Sequence, residues 1–114
     1  MSVPSAEQLL QHMRDAISQT LTYIEGYAKE DFLEDKRTQQ AVILNLIILG
    51  EAATKLMDSY PDQTAARPEI EWRSMRGMRN RIAHGYYDID LDVVWETVSV
   101  ALPELSKLLD NSGN

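Results

Sequence analysis

The sequence predicts an all-α protein built on four main helices. Three observations carry this. Only five glycines and four prolines punctuate 114 residues. No apolar–polar alternation of the strand type is sustained anywhere. Long stretches instead repeat apolar residues every three or four positions, the period of one helix face.

The first helix is read from residues 4–28, PSAEQLLQHMRDAISQTLTYIEGYA, where Leu9, Met13, Ala16, Ile17, Leu21, Ile24 and Ala28 fall near one stripe. Ser5 is its expected N-cap, with Gln8 three residues on completing a capping box. Gly26 weakens the end without having to stop the helix. DFLED, residues 31–35, reads as a short acidic connection, and Asp35 caps a second helix running to about Tyr60. Between Ala41 and Leu49 that helix is apolar nearly all round, so it is buried on more than one side. Either it is the central helix of a bundle, or a second copy of the chain covers its other face. The stretch YPDQTAARPEIEW, with Pro61 and Pro68, reads as a loop, and a third helix starts near Glu69 and breaks at Gly85. The last helix is capped by Asp90 and carries Leu91, Val94, Trp95, Val98, Leu102, Leu105 and Leu109 on one stripe. Pro103 should kink it, since proline has no amide donor and clashes with the preceding turn. The domain is expected to span residues 1–110, with residues 111–114 a frayed tail.

Hydrophobic residues make up 44% and charged residues 25%, ordinary proportions for a globular chain. Cysteine is absent, which excludes disulfides and thiolate metal sites and fits a reducing, cytoplasmic setting. The N-terminal residues lack the pattern of a secretory signal. The longest apolar run, AVILNLIILG at residues 41–50, is too short to span a bilayer, so no membrane association is expected. A net charge of −7 argues against broad, non-specific coating of nucleic acid, but not against a small basic pocket.

Such a pocket is suggested by residues 71–84, where Arg73, Arg76, Arg79 and Arg81 face a single acid, Glu71. The guanidinium fork matches phosphate oxygens. His84 is a group that can move protons near neutrality, and Tyr86 and Tyr87 offer aromatic faces to bases. Together these suit metal-free RNA cleavage, in which a base activates the ribose 2′-hydroxyl, cations stabilise the phosphorane and an acid protonates the leaving 5′-oxygen. On an ideal helix, however, five residues carry the direction about 140° past a full turn. Arg79 and His84 therefore converge only if the helix ends between them or a second copy completes the site. Blander roles compete. Arg73 and Arg76 could decorate a solvated face or pair with Glu69 and Glu71. His12 is expected to be structural, and Trp72 and Trp95 core. Glu51 is either a helix-surface acid or a buried partner of the arginine cluster. No metal-ligand spacing and no phosphate-binding glycine loop stand out, so neither a metal nor another cofactor is expected.

Arg79-Asn80, three residues, His84, one residue and Tyr86 reads as RNxxxHxY. With DKRTQQAVILNLIILGEAATKL and EWRSMRGMRNRIAHGYYDIDLDVVWETV, it resembles the HEPN superfamily, specifically the HepT-like (DUF86) toxins. The resemblance implies a HEPN-type antiparallel bundle that dimerises and brings two RNxxxH segments into one cleft. It implies a metal-independent endoribonuclease acting on tRNA or mRNA and leaving 2′,3′-cyclic phosphate ends. In that reading Arg79, Asn80 and His84 are catalytic, and Arg73, Arg76 and Arg81 bind phosphate. It also implies a toxin–antitoxin pair, in which an MntA-type nucleotidyltransferase antitoxin adds AMP to Tyr86. Two rivals remain: a non-catalytic helical module that docks a nucleotidyltransferase and senses or presents nucleotides, and a purely structural helical dimer.

Overall fold

A computed structural model describes residues 3–110, and every regular element among them is helical. The elements are α1 (Ala6–Tyr23), α2 (Lys29–Glu34), α3 (Lys36–Ser59), α4 (Pro61–Ala65) and α5 (Trp72–His84). A 3₁₀ turn (Tyr86–Asp88), α6 (Leu91–Glu96), a π turn (Thr97–Ala101) and α7 (Leu102–Asp110) complete the chain. The last three run on directly from one another and form the fourth main helix. The tail expected at residues 111–114 lies outside the described residues.

Local signals explain most boundaries. Ser5 accepts from the Gln8 amide (3.1 Å), and the Gln8 side chain accepts from the Ser5 amide (2.8 Å), so the expected capping box forms. α1 nevertheless stops at Tyr23, because Gly26 adopts a left-handed φ of 79° that ends the helix and turns the chain. DFLED is not a plain connection. Most of it lies in α2, whose start is held by Asp31 accepting from the Ala28 amide (2.8 Å) and whose Phe32 is fully buried. The 60–72 segment likewise contains α4, opened by Pro61 at the first helical position, where no amide donor is needed. α5 begins at Trp72 rather than Glu69. Pro68 precedes it, and the buried indole donates to the carbonyls of Thr64 and Arg67 (both 3.1 Å), which anchors the helix start.

The proline at 103 acts through the turn before it. The stripe residues Val94, Val98 and Leu102 are spaced by four twice, and each such step drifts about 40° on an ideal helix. The wider π turn, in which the Leu102 amide reaches Thr97, absorbs that drift and lies where Pro103 has no amide to donate. All three residues are consequently buried.

The core gathers Leu9, Met13, Ile17, Phe32, Val42, Leu46, Ala53, Leu56, Val94, Val98 and Leu109 in one cluster. α3 is its axis, packed most extensively against α1 and α5. By length and composition α3 is long and apolar enough to cross a membrane, beyond what the 41–50 run suggested. Half of its apolar window is covered by the rest of the protein, as befits a core helix. Tyr60, ending α3, donates to the Pro4 carbonyl (2.8 Å) and sets the end of α3 beside the start of α1.

The α2–α3 junction holds a compact polar cluster. Asp35 caps α3 by accepting from the Thr38 amide (3.1 Å), and it also accepts from the hydroxyls of Thr38 (2.6 Å) and Tyr27 (2.5 Å). The Thr38 hydroxyl, then the Tyr27 hydroxyl, then the Thr38 amide hold its carboxyl at about 2, against an ordinary 3.8. A folded-state value below the unfolded one adds stability above the unfolded value and loses it as pH falls towards the folded one. The urea midpoint should therefore drop between pH 4 and pH 2 more steeply in the wild type than in Asp35→Asn. Equal slopes would show that the cluster does not contribute to acid stability.

Candidate functional site

α5 carries every arginine of the basic segment, and the sides they occupy decide what each can do. Taking about 100° per residue, Arg73, Gly77, Asn80 and His84 lie within about 60° of one another, flanked by Arg76 and Arg81. Arg73, Asn80, Arg81 and His84 are exposed. Arg79 points away from this stripe, towards α3. The helix runs unbroken through His84, and Gly85 ends it as expected, its amide bonding the Arg81 carbonyl (3.0 Å). It does not end between Arg79 and His84. A single chain therefore keeps the two on separate faces.

The side facing α3 is built on a close approach. A Cβ at Gly50 would sit 2.8 Å from the Met75 carbonyl oxygen and closer still to the Cβ of Arg79. Only glycine lets the two backbones meet there. Beside it the Arg79 guanidinium pairs with Glu51 through Nη1 and reaches the Thr54 hydroxyl through Nη2 (3.4 Å). Thr54 itself donates to the Gly50 carbonyl (2.7 Å). The Nε of Arg79 is buried without a hydrogen-bond partner among the described residues. One turn earlier on α5, Arg76 pairs with Asp58 (2.8 Å). The two ion pairs run in opposite order along the two helices.

The charge balance differs from what the sequence count implied. Arg76 and Arg79 are countered by acids of α3, whereas Arg73 and Arg81 make no ion pair among the described residues. Glu69 and Glu71 are not partners of Arg73 or Arg76. Glu69 pairs with Arg67 (2.5 Å), whose guanidinium also holds its carboxyl below the usual range, and Glu71 accepts from Ser74 (3.2 Å). Glu51 does face the cluster, but half-exposed rather than buried. Asp58, Thr54 and Gly50 were not foreseen as part of the site. Their signal was present, since Glu51, Thr54 and Asp58 are spaced by three and four and so share one face of α3.

Tyr86 and Tyr87 follow in the 3₁₀ turn, rings edge to face at 5.8 Å, with Tyr86 48% and Tyr87 98% exposed. Trp72 is buried, and Trp95 is partly buried against Phe32 (5.5 Å). His12 is exposed on α1 and contributes nothing to the core. Arg73 and Arg76 line an open cleft of about 600 Å³ with Asp58 and Glu71, and an apolar groove of about 550 Å³ lies between α5 and α7. Neither reaches Arg79, Asn80 or His84. No cluster of three or more His, Asp or Glu side chains suited to a metal ion occurs among the described residues.

Two mid-helix glycines give a controlled test of the close approach. Gly77→Ala meets nothing nearer than the mobile end of Arg81 at 3.7 Å. It should stabilise the fold by about 0.5–1 kcal/mol, the usual helix-interior difference. Gly50→Ala should instead destabilise by about 1–3 kcal/mol, because the clash is with backbone. Chemical denaturation of both variants reads this out, and equal shifts would contradict the packing described.

Residues 13–111 match the family model described as "Ribonuclease HepT-like". The chain is 37% identical over 101 residues to the "Probable ribonuclease HepT" of Thermococcus cleftensis, covering 89% of each chain. It is 31% identical over 95 residues to "Putative RNase MJ0127" of Methanocaldococcus jannaschii, covering 83% of this chain and 73% of the relative. To "Putative RNase TTE0752" of Caldanaerobacter subterraneus subsp. tengcongensis it is 29% identical over 98 residues, covering 86% and 85%. No solved structure gives a match.

Proposed function

The chain belongs to the HepT-like ribonuclease family, and from that premise we propose that it is a metal-independent endoribonuclease, the toxin of a toxin–antitoxin pair, working as a homodimer in the cytoplasm. The observation that carries this reading is the layout of α5. Arg79 and His84 occupy one uninterrupted helix on sides about 140° apart. A second copy of the same helix can set its His84 opposite Arg79, whereas a single chain cannot. The surface for that copy is at hand. Leu44 (58% exposed) and Ile48 (39% exposed) lie on the same face of α3 as Glu51, so an apolar stripe borders the Arg79–Glu51 pair. Burying such a stripe against its own symmetry mate is an isologous contact.

In this reading a base removes the ribose 2′-hydroxyl proton as the oxygen attacks the adjacent phosphorus. Arg79 stabilises the charge on the phosphorane oxygens. An acid protonates the departing 5′-oxygen, leaving a 2′,3′-cyclic phosphate and a 5′-hydroxyl. His84 from each copy supplies the two proton-transfer groups. Asn80, one turn before His84 on the same face, orients the site by hydrogen bonds. Arg73, Arg76 and Arg81 hold flanking phosphates of a tRNA or mRNA, with Arg73 and Arg81 free for the purpose and Arg76 shared with Asp58. The partner is a nucleotidyltransferase antitoxin of the MntA type. The exposed Tyr86 hydroxyl attacks the α-phosphorus of ATP, pyrophosphate leaves, and the added AMP places negative charge beside the arginines that would hold RNA.

Purified protein in excess EDTA should cleave total RNA and a defined tRNA, leaving 2′,3′-cyclic phosphate ends. His84→Ala should lower the rate by about 10²–10⁴-fold. Mass spectrometry should first confirm that Tyr86 and Tyr87 carry no AMP. Equal behaviour of the two unmodified proteins would favour a module that docks the nucleotidyltransferase without cutting RNA. A monomer by sedimentation at working concentration would contradict the shared cleft.

A further inference from the structure

We propose that Glu51 and Thr54 on α3 are positioning residues that hold the Arg79 guanidinium in its phosphate-binding orientation, an inference that rests on the ribonuclease reading. Three independent features converge on this one side chain. Gly50 lets α3 approach until the Arg79 Cβ lies against its backbone, which fixes the root of the side chain. Glu51 takes Nη1 and Thr54 takes Nη2, which fixes the plane of the fork. Thr54 is itself held, since its proton goes to the Gly50 carbonyl (2.7 Å) and its lone pairs are left for Arg79. Gly50, Glu51 and Thr54 thus form a cradle from one turn of α3.

Fold stability does not account for this arrangement. The carboxylate is 46% and the guanidinium side chain 23% exposed, and ion pairs with that much solvent contribute little. The Nε donor is left buried and unpartnered, a cost that a purely structural arginine would be expected to avoid. Of the five N–H donors of a guanidinium, each terminal nitrogen keeps one not given to the cradle. Those two donors remain available to phosphate oxygens. A guanidinium already held spares the rotamer entropy that a free arginine would lose on meeting the transition state.

The test compares Glu51→Ala and Glu51→Gln with the wild type in three measurements. In the first, cleavage of a defined RNA, Glu51→Ala should lower kcat by about ten- to a hundredfold. Glu51→Gln keeps an acceptor and should recover most of that loss. In the second, the Kd for a 2′-deoxy, uncleavable analogue of the same RNA should change by less than about threefold, and melting temperatures should match, which a merely structural role would not give. In the third, ¹⁵N NMR should show the Arg79 terminal nitrogens in slow rotation in the wild type and Glu51→Gln, but in fast rotation in Glu51→Ala. An active wild type with Glu51→Ala equally fast overturns the positioning role. So does tighter binding with faster cleavage, since Glu51 would then compete with phosphate. A wild type that does not cut RNA while its Arg79 is still held overturns the ribonuclease reading and leaves the cradle standing.

Discussion

The contact of α3 with α5 at Gly50 is the constraint from which the rest of the site follows. A backbone carbonyl of α5 lies 2.8 Å from where a side chain at Gly50 would begin. The Arg79 side chain starts against the Gly50 backbone, and its guanidinium meets the next residues of α3. Glu51, Thr54 and Asp58 are in place to receive Arg79 and Arg76 because their spacing of three and four keeps them on one face. The outer face of α5 is thereby left to Arg73, Asn80, Arg81 and His84. One close approach separates the helix into a side that is held and a side that is open.

That separation changes how the basic segment should be understood. Four arginines beside one acid suggest a strongly positive surface in an otherwise acidic chain. Folding brings two acids of α3 against two of the arginines, so the exposed positive charge is small and local. Such a site suits recognition of a few phosphates at a defined point rather than long-range attraction of nucleic acid. Under the proposed mechanism, the same geometry would make a lone chain an incomplete site. The exposed Leu44 and Ile48 beside the pair give a second copy something to bury.

The sequence was most legible where a single side chain acts on its own backbone. Ser5 with Gln8, Asp35 and Asp90 cap the helices they were expected to cap, and Gly85 ends α5. The buried stripes of α1 and of the last helix follow the apolar period. It was least legible where tertiary contacts override local preference. α2 is six residues long, too short to hold by itself, and it forms because Phe32 is buried against Trp95. Gly26 was indeterminate because its left-handed φ depends on where Tyr27 must go to reach Asp35. At the site, residue types and spacing pointed to Arg79 and His84. Which acids would neutralise which arginines required the register of α3 against α5, and no local pattern contains it.

The central claim is that Arg79 of one copy works with His84 of the other. It is tested most directly with heterodimers carrying two different tags, in which one copy is wild type and the other has both Arg79→Ala and His84→Ala. A shared cleft places every intact group opposite a missing one, so the heterodimer should cleave RNA at less than about a tenth of the wild-type homodimer's rate, given losses of 10²–10⁴-fold per missing proton-transfer group. Retention of about half the rate, as expected for two independent sites in a symmetric dimer, would contradict it.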